Sequence, residues 1–258
     1  MPNAQAAQFH RYVGIDYSGA GTPDSRLPGL RVFEAEPNID PYEVRFGRDW
    51  TRRELADWIA SRISPTTPAI IGIDHGFSFP LAYFEKYGLK KCWLDFLTDF
   101  TTHWPTAAHG ARVTDLRMTS GIARSGDAHW RRLCEIRSRG AKSVFHFGVP
   151  GSVAHSTHAG LPWLGHIRAM SNHPIHFWPF DGWTPSPGIS VITEIYPSLW
   201  KARFPRPDLT GDQHDAYASA AWLKEQDVRG SLQDAFNPRL TPDERKQASL
   251  EGWILGVS

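Results

Sequence analysis

Four acidic side chains end or interrupt otherwise apolar segments. Asp16 follows Val13-Gly14-Ile15, and Asp74 follows Ile70-Ile71-Gly72-Ile73. Glu194 follows Val191-Ile192-Thr193. Asp215 stands in the first turn of a helix that continues as Ala216-Tyr217-Ala218-Ser219-Ala220-Ala221. A carboxylate inside an apolar element is costly without a partner. Two unit charges 4 Å apart repel by about 4 kcal/mol at an effective dielectric of 20. A bound divalent cation removes that penalty, and hard oxygen donors suit Mg²⁺ or Mn²⁺. Asp16, Asp74 and Asp215 are therefore candidate metal ligands, with Glu194 as a further catalytic acid. Each also has a simpler use. Asp16 can open the turn Ser18-Gly19-Ala20-Gly21, and Asp74 can cap the segment after its strand. Glu194 can pair with an arginine such as Arg203. Asp215, with Asp212, can serve a helix dipole. The metal reading rests on all four acids meeting.

The elements that must position them follow from the apolar pattern. Strands are expected over Arg11–Tyr17, Leu30–Glu36 and Tyr42–Phe46, close enough together to pair antiparallel. Thr51 and Glu54 form a capping box ahead of Leu55, Trp58, Ile59 and Ile63, which share one helical face. Ala69–Asp74 and Ile189–Ile195 are nearly continuous apolar runs, as in central strands covered on both sides. Between them, about residues 80–187 form a long insert or subdomain. It carries helical stretches at Leu81–Lys86, Trp93–His103, His129–Arg137 and Leu161–Met170, and extended ones at Ser143–Phe147 and Ile175–Phe180. Gly211-Asp212 starts a helix running to about Gln226, and Thr241-Pro242 with Glu244 caps a last one. Gly252–Val257 is an apolar tail that forms a strand or packs under the sheet. The expected architecture is one α/β domain over residues 1–258. Three antiparallel strands are followed by parallel ones, with helices on the faces. Ligands of such sheets collect at the carboxyl ends of the strands.

The sequence resembles the family catalogued as domain of unknown function number 429, described as ribonuclease-H-like nucleases. The likeness lies in Val13-Gly14-Ile15-Asp16-Tyr17-Ser18-Gly19-Ala20, Gly72-Ile73-Asp74-His75-Gly76-Phe77, Glu194-Ile195-Tyr196-Pro197, His214-Asp215-Ala216-Tyr217 and Glu251-Gly252-Trp253-Ile254-Leu255-Gly256-Val257. It implies a ribonuclease-H-like fold and a metal-dependent nuclease activity, itself an analogy from fold. It implies Asp16 as the first-strand acid, Asp74 as a ligand on the fourth strand and Asp215 as the carboxylate of the final helix. Glu194, on a fifth strand, departs from the plain ribonuclease H pattern. In such an enzyme two metal ions roughly 3.5–4 Å apart clamp a phosphodiester. His214 and His75, each beside a proposed ligand, are candidates for moving protons, and equally for structural hydrogen bonding.

The insert supplies the candidate substrate contacts. Between His103 and His173 nine basic residues face three acidic ones, in a chain whose net charge is +1, and eight of the 12 histidines lie there. Such an excess can bind a phosphate backbone, or can be a solvated face. Gly148–Gly160 has the glycines and hydroxyls of an anion-binding loop without the lysine of a P-loop. Ser152, His155 and His158 in it, with Ser18 and His75, are candidate substrate contacts. Trp104, Trp130 and Trp163 can stack on bases or fill a core.

Bulk properties narrow the class. A 41% hydrophobic and 21% charged composition is that of a globular protein. The net charge carries no global signature for nucleic acid or membrane. Two distant cysteines, Cys92 and Cys134, argue against a disulfide framework. No apolar run reaches the roughly 20 residues of a membrane helix, and Met1–Gln8 does not resemble a signal peptide. A cytoplasmic location is expected. A metal-dependent nuclease or phosphodiesterase is the first expectation. An ATP-dependent phosphotransferase of the actin and sugar-kinase type is the alternative, with Ser18, Gly19, Gly21 and Thr22 around the phosphate. A non-catalytic module binding nucleic acid or protein is the third.

Overall fold

Nearly continuous burial along β1 (Arg11–Asp16), β4 (Ala69–Asp74) and β6 (Ser190–Glu194) makes these strands the middle of a six-stranded sheet. The computed structural model describes residues 7–119, 121–138, 140–149 and 152–258. The sheet order is β3-β2-β1-β4-β6-β5, with β2 (Arg31–Glu36), β3 (Ile39–Glu43) and β5 (Ile175–Trp178) completing it. β1, β2 and β3 are antiparallel, while β1, β4, β6 and β5 run parallel. This is the mixed sheet expected of a ribonuclease-H-like fold. The helices are α1 (Arg52–Arg62), α2 (Leu81–Tyr87), α3 (Trp93–His103), α4 (Val113–Met118), α5 (Leu133–Arg137), α6 (Ala154–Met170), α7 (Gly211–Val228), α8 (Leu232–Phe236) and α9 (Pro242–Glu251).

Each face of the sheet has its own core. On one, Val13, Ile15, Ile71 and Ile73 pack with Leu55 and Ile59 of α1 and Leu164 and Ile167 of α6. The insert joins this core through Phe79, Phe96, Phe100 and Trp104. On the other, Tyr12, Ile70, Val191 and Ile195 pack with Trp222, Leu223 and Trp253. Here α7 lies directly on β1. A Cβ added to Gly14 would stand 2.3 Å from the Ala216 carbonyl oxygen, so only glycine lets the helix approach. Gly14→Ala is expected to lower stability by at least about 1–3 kcal/mol, the usual cost of overpacking. The urea midpoint checks it.

Local signals account for most boundaries. The capping boxes at Thr51/Glu54 and Thr241/Glu244 form in both directions. The tail is buried and bonds to the end of β6, where Leu255 N donates to Glu194 O at 2.9 Å and Ile254 bridges Glu194.

Four expectations need correction. The third strand is Ile39–Glu43 instead of Tyr42–Phe46, because Pro37-Asn38 makes a tight turn straight after β2. Pro41 is tolerated because β3 is an edge strand. Ser143–Phe147 is a pair of turns organised by Ser143, whose Oγ accepts from Phe145 N at 3.1 Å. The helix expected from His129 starts at Leu133. α6 begins seven residues before Leu161 and runs through Pro162. A helical proline leaves the carbonyl four residues back without its donor. That carbonyl belongs to His158, and the Thr106 hydroxyl donates to it at 2.7 Å. Among the described residues, no helix is long and apolar enough to cross a membrane.

Candidate functional site

Asp16 and Asp74 are register partners on adjacent parallel strands. Residues level with each other on parallel strands point to the same face, and two residues back on that face are Gly14 and Gly72. The missing side chains there let α7 close over the strand ends. Thr210 caps α7 and exchanges hydrogen bonds with Gln213, so Asp212 is free of capping duty. Asp16, Asp74, Asp212 and Asp215 all line one cavity of about 350 Å³, together with Lys142, Ser152, Tyr196 and Lys201.

The cluster is electrostatically strained. Burial, followed by the charges of Asp212 and Asp215, pushes the Asp16 carboxyl up to about 8, while Lys201 and Arg31 oppose the rise. Asp74 is held well above the usual carboxylate range by burial, then by Asp16, Asp215 and Glu194, again opposed by Lys201. Lys201 Nζ lies 2.9 Å from Asp215 Oδ1 and donates to Oδ2 at 3.2 Å. Oδ1 is buried and accepts no directed hydrogen bond. Among the described residues, no group of three or more His, Cys, Asp or Glu side chains is placed so that it could hold a metal ion. The donor types alone are those a hard cation takes: carboxylate oxygens that repel one another at one cavity. Asp215 is turned toward Lys201 instead.

Glu194 belongs to a different constellation. β6 sets it level with Ile73, one residue out of phase with Asp74, and it lines the cavity together with Arg132 and Glu135. Arg132 grips it with two hydrogen bonds, Nη1 to Oε2 at 2.7 Å and Nη2 to Oε1 at 2.6 Å, and Phe77 N adds a third at 3.1 Å. Arg132 Nε also donates to Glu135 Oε1 at 2.8 Å, and all three side chains are buried. The partner expected at Arg203 is thus Arg132, whereas Arg203 pairs with Glu225. Both oxygens of Glu194 are engaged, which removes it from the free carboxylates.

The other candidates divide. Ser152 lines the cavity, and Ser156 does so unforeseen. His75 is buried against Tyr17 and Phe77, donates from Nδ1 to Gly76 O at 2.9 Å, and is pushed down to about 4 by burial. It is a core side chain that does not line this cavity. His158 likewise sits among Phe79, Trp104 and Phe147, bonded to Ala154 O. His214 bonds to Phe204 O at 2.8 Å and anchors α7 outside the cavity. His155 lines a neighbouring recess with Gly19, Ala20 and Arg112, and Ser18 accepts from Ala20 N in the turn. From Ala154 onward the expected anion loop is helix, and its Pro150-Gly151 lies outside the described residues. Four of the nine basic side chains form ion pairs: Arg124 with Asp99, Arg137 with Glu244, Arg168 with Asp181 and Arg132 with its glutamates. Arg139 lies outside the described residues. Trp104 and Trp163 are core, and Trp130 is half-buried.

Sequence reasoning missed Asp212 and Lys201 as site residues. The Thr210–Gln213 capping box was a signal that Asp212 had no capping role. Lys201 had no signal, because the short 3-10 turn Lys201–Arg203 alone carries it to α7. No family model, no curated protein and no solved structure matches this chain.

Proposed function

We propose that this protein is a divalent-metal-dependent nuclease or phosphodiesterase, acting in the cytoplasm on nucleic acid or a nucleotide-like phosphate with Mg²⁺ or Mn²⁺. The observation that carries this reading is the level pairing of Asp16 with Asp74 beneath Asp212 and Asp215. The motif likeness to family 429 supports it and is the basis on which we assign the chain there. Asp16, Asp74 and Asp215 would hold the ion, with Asp212 beside Asp16. Such an ion, when bound, lowers the pKa of water and polarises phosphate oxygens. The chain's own groups then orient the substrate. Lys142 and Lys201 balance the phosphate charge, and Ser152, Ser156 and Tyr196 offer hydroxyls on the same cavity wall. In hydrolysis a water oxygen would bond to phosphorus and its proton pass to a carboxylate of the cluster, while the leaving oxygen departs with the P–O bonding pair and takes up a proton from solvent.

The test is a cleavage panel of single-stranded, duplex, hybrid and branched nucleic acids, plus a small phosphodiester ester, with Mn²⁺ or Mg²⁺. Metal-dependent cleavage of at least one is expected, with a loss of about 10²-fold or more in Asp74→Asn, the scale seen when one charge-stabilising group is removed. Cleavage of none by the wild type, or equal cleavage by both proteins, sinks the reading.

A further inference from the structure

We propose that the recess walled by the turn Gly19-Ala20-Gly21, Arg112, Thr114 and His155 binds a phosphate group, as a site of its own beside the carboxylate cavity. It needs no metal ion, and it stands separately from the hydrolytic activity proposed above. The turn is held so that it shows donors. Arg52 lies behind it, 1% exposed. Its guanidinium donates to three carbonyls of the turn: Ser18 O at 3.1 Å, Ala20 O at 2.7 Å and Gly21 O at 3.2 Å. Across a planar trans peptide the N–H points opposite to the carbonyl. The N–H of Gly19 shares a peptide with the Ser18 carbonyl, and that of Gly21 with the Ala20 carbonyl. Both therefore turn away from Arg52. Among the described residues neither donates to a protein acceptor, whereas Ala20 N is taken by Ser18 Oγ and Thr22 N by Ser25 Oγ. Gly21 sits at φ +59°, the left-handed conformation found where successive N–H groups form an anion-binding concavity.

The charges around the recess favour an anion. Arg52 is a buried cation that pairs with no carboxylate among the described residues. Asp24, the acid of this loop, is taken by Arg53 and His109. A buried charge without a counter-ion is costly, and an anion on the far side of the turn offsets it. On the facing wall Arg112 makes no ion pair among the described residues, although His109, Arg124 and Arg132 of the same insert all do. Arg112 is exposed, and its side chain makes no capping bond to α4. Thr114 adds a hydroxyl, now 3.3 Å from Asp115 Oδ1, and His155 an imidazole. The donors come from opposing walls of a space of about 260 Å³. A tetrahedral phosphate presents oxygens to both walls, which a planar carboxylate does not, and an arginine fork matches it. His155 stands in the first turn of α6 between Ser152 and Ser156, which line the carboxylate cavity. The two spaces thus share a wall. A phosphate of a nucleic-acid chain crossing that wall and a free phosphate ion offer the recess the same chemistry.

Amide shifts of the isotope-labelled full chain test this. It is titrated without divalent metal, once with inorganic phosphate and once with a short single-stranded oligonucleotide. The Gly19 and Gly21 N–H signals are expected to move downfield and saturate with phosphate. Arg112→Ala is expected to weaken binding about tenfold or more, the scale of one hydrogen bond to a charged group. Arg239→Ala, which removes the same charge at a different cavity, is expected to leave it unchanged. Thermal melting of both variants checks folding. Saturation by the oligonucleotide as well assigns the recess to a phosphate of a chain, and saturation by inorganic phosphate alone assigns it to the free ion. Gly19 and Gly21 signals that move with neither, or equal weakening in both arginine variants, overturn the assignment. Absence of metal-dependent cleavage has no bearing on these shifts, so the two claims fail separately.

Discussion

Arg132→Met is expected to lower folding stability by about 3–5 kcal/mol, the cost of leaving buried charges without their partner. Its guanidinium is buried and engages Glu194 with two nitrogens, Glu135 with a third, and the Glu251 carbonyl oxygen at 3.3 Å. Removing it strands two buried carboxylates. Glu194 is moreover one of the charges that raise Asp74, so losing its partner worsens the strain across the sheet. For a chain of this length the loss corresponds to a fall in Tm of about 6–20 °C. Lysine does not substitute, because a single ammonium group cannot reproduce the fork that holds both oxygens of Glu194. Adding Glu194→Gln and Glu135→Gln to Arg132→Met should recover part of the loss, because the stranded charges disappear with them. Urea melts of the single, double and triple variants measure this. A single variant within about 2 °C of the wild type, well short of the expected fall, would show that the network carries little stability.

That network also marks the limit of what the sequence discloses. The strands were legible because Ala69–Asp74 and Ile189–Ile195 have almost no polar interruption, and strand ends carry the acids of such folds. The pairing of Asp16 with Asp74 followed from two similar strands ending alike. The place of Glu194 did not, since a register offset of one residue between β4 and β6 sets it level with Ile73. Similarity of motif hides that offset. Arg132 and Glu194 lie 62 positions apart, and nothing local to either names the other. The histidines misled for a related reason. His75 and His158 have the spacing of site residues, yet packing against Gly160 and the aromatic side chains of the insert draws them inward. Lys201 reaches the cavity through a turn that carries no distinctive periodicity.

Asp16→Asn should be more stable than the wild type in the absence of divalent metal, and increasingly so as pH rises. In the folded protein burial, Asp212 and Asp215 push the Asp16 carboxyl up to about 8, whereas the unfolded chain titrates near 3.9. Between these limits the folded state binds the extra proton, so stability falls with rising pH. The loss begins near pH 4, grows through neutrality and levels off above about 8. Asparagine carries no charge and is spared it. Each pH unit that separates the folded from the unfolded value corresponds to about 1.4 kcal/mol, reduced here because solvent and Lys201 screen the cavity. The expected gain is about 2–4 kcal/mol at pH 8.5, or about 4–16 °C in Tm, shrinking toward zero near pH 4. Saturating Mn²⁺ narrows that gap. At a hundredfold excess over Kd the wild type gains about 2.7 kcal/mol, while the variant, having lost a ligand and a charge, gains much less. Differential scanning of both proteins from about pH 5 to 8.5, with and without Mn²⁺, reads every part of this. A less stable Asp16→Asn at the alkaline end without metal would mean that Asp16 is a structural turn residue, and an equal Mn²⁺ response would place the ion elsewhere. A carboxylate held against its neighbours for the sake of a cation gives a variant that is more stable alone and gains less from the cation.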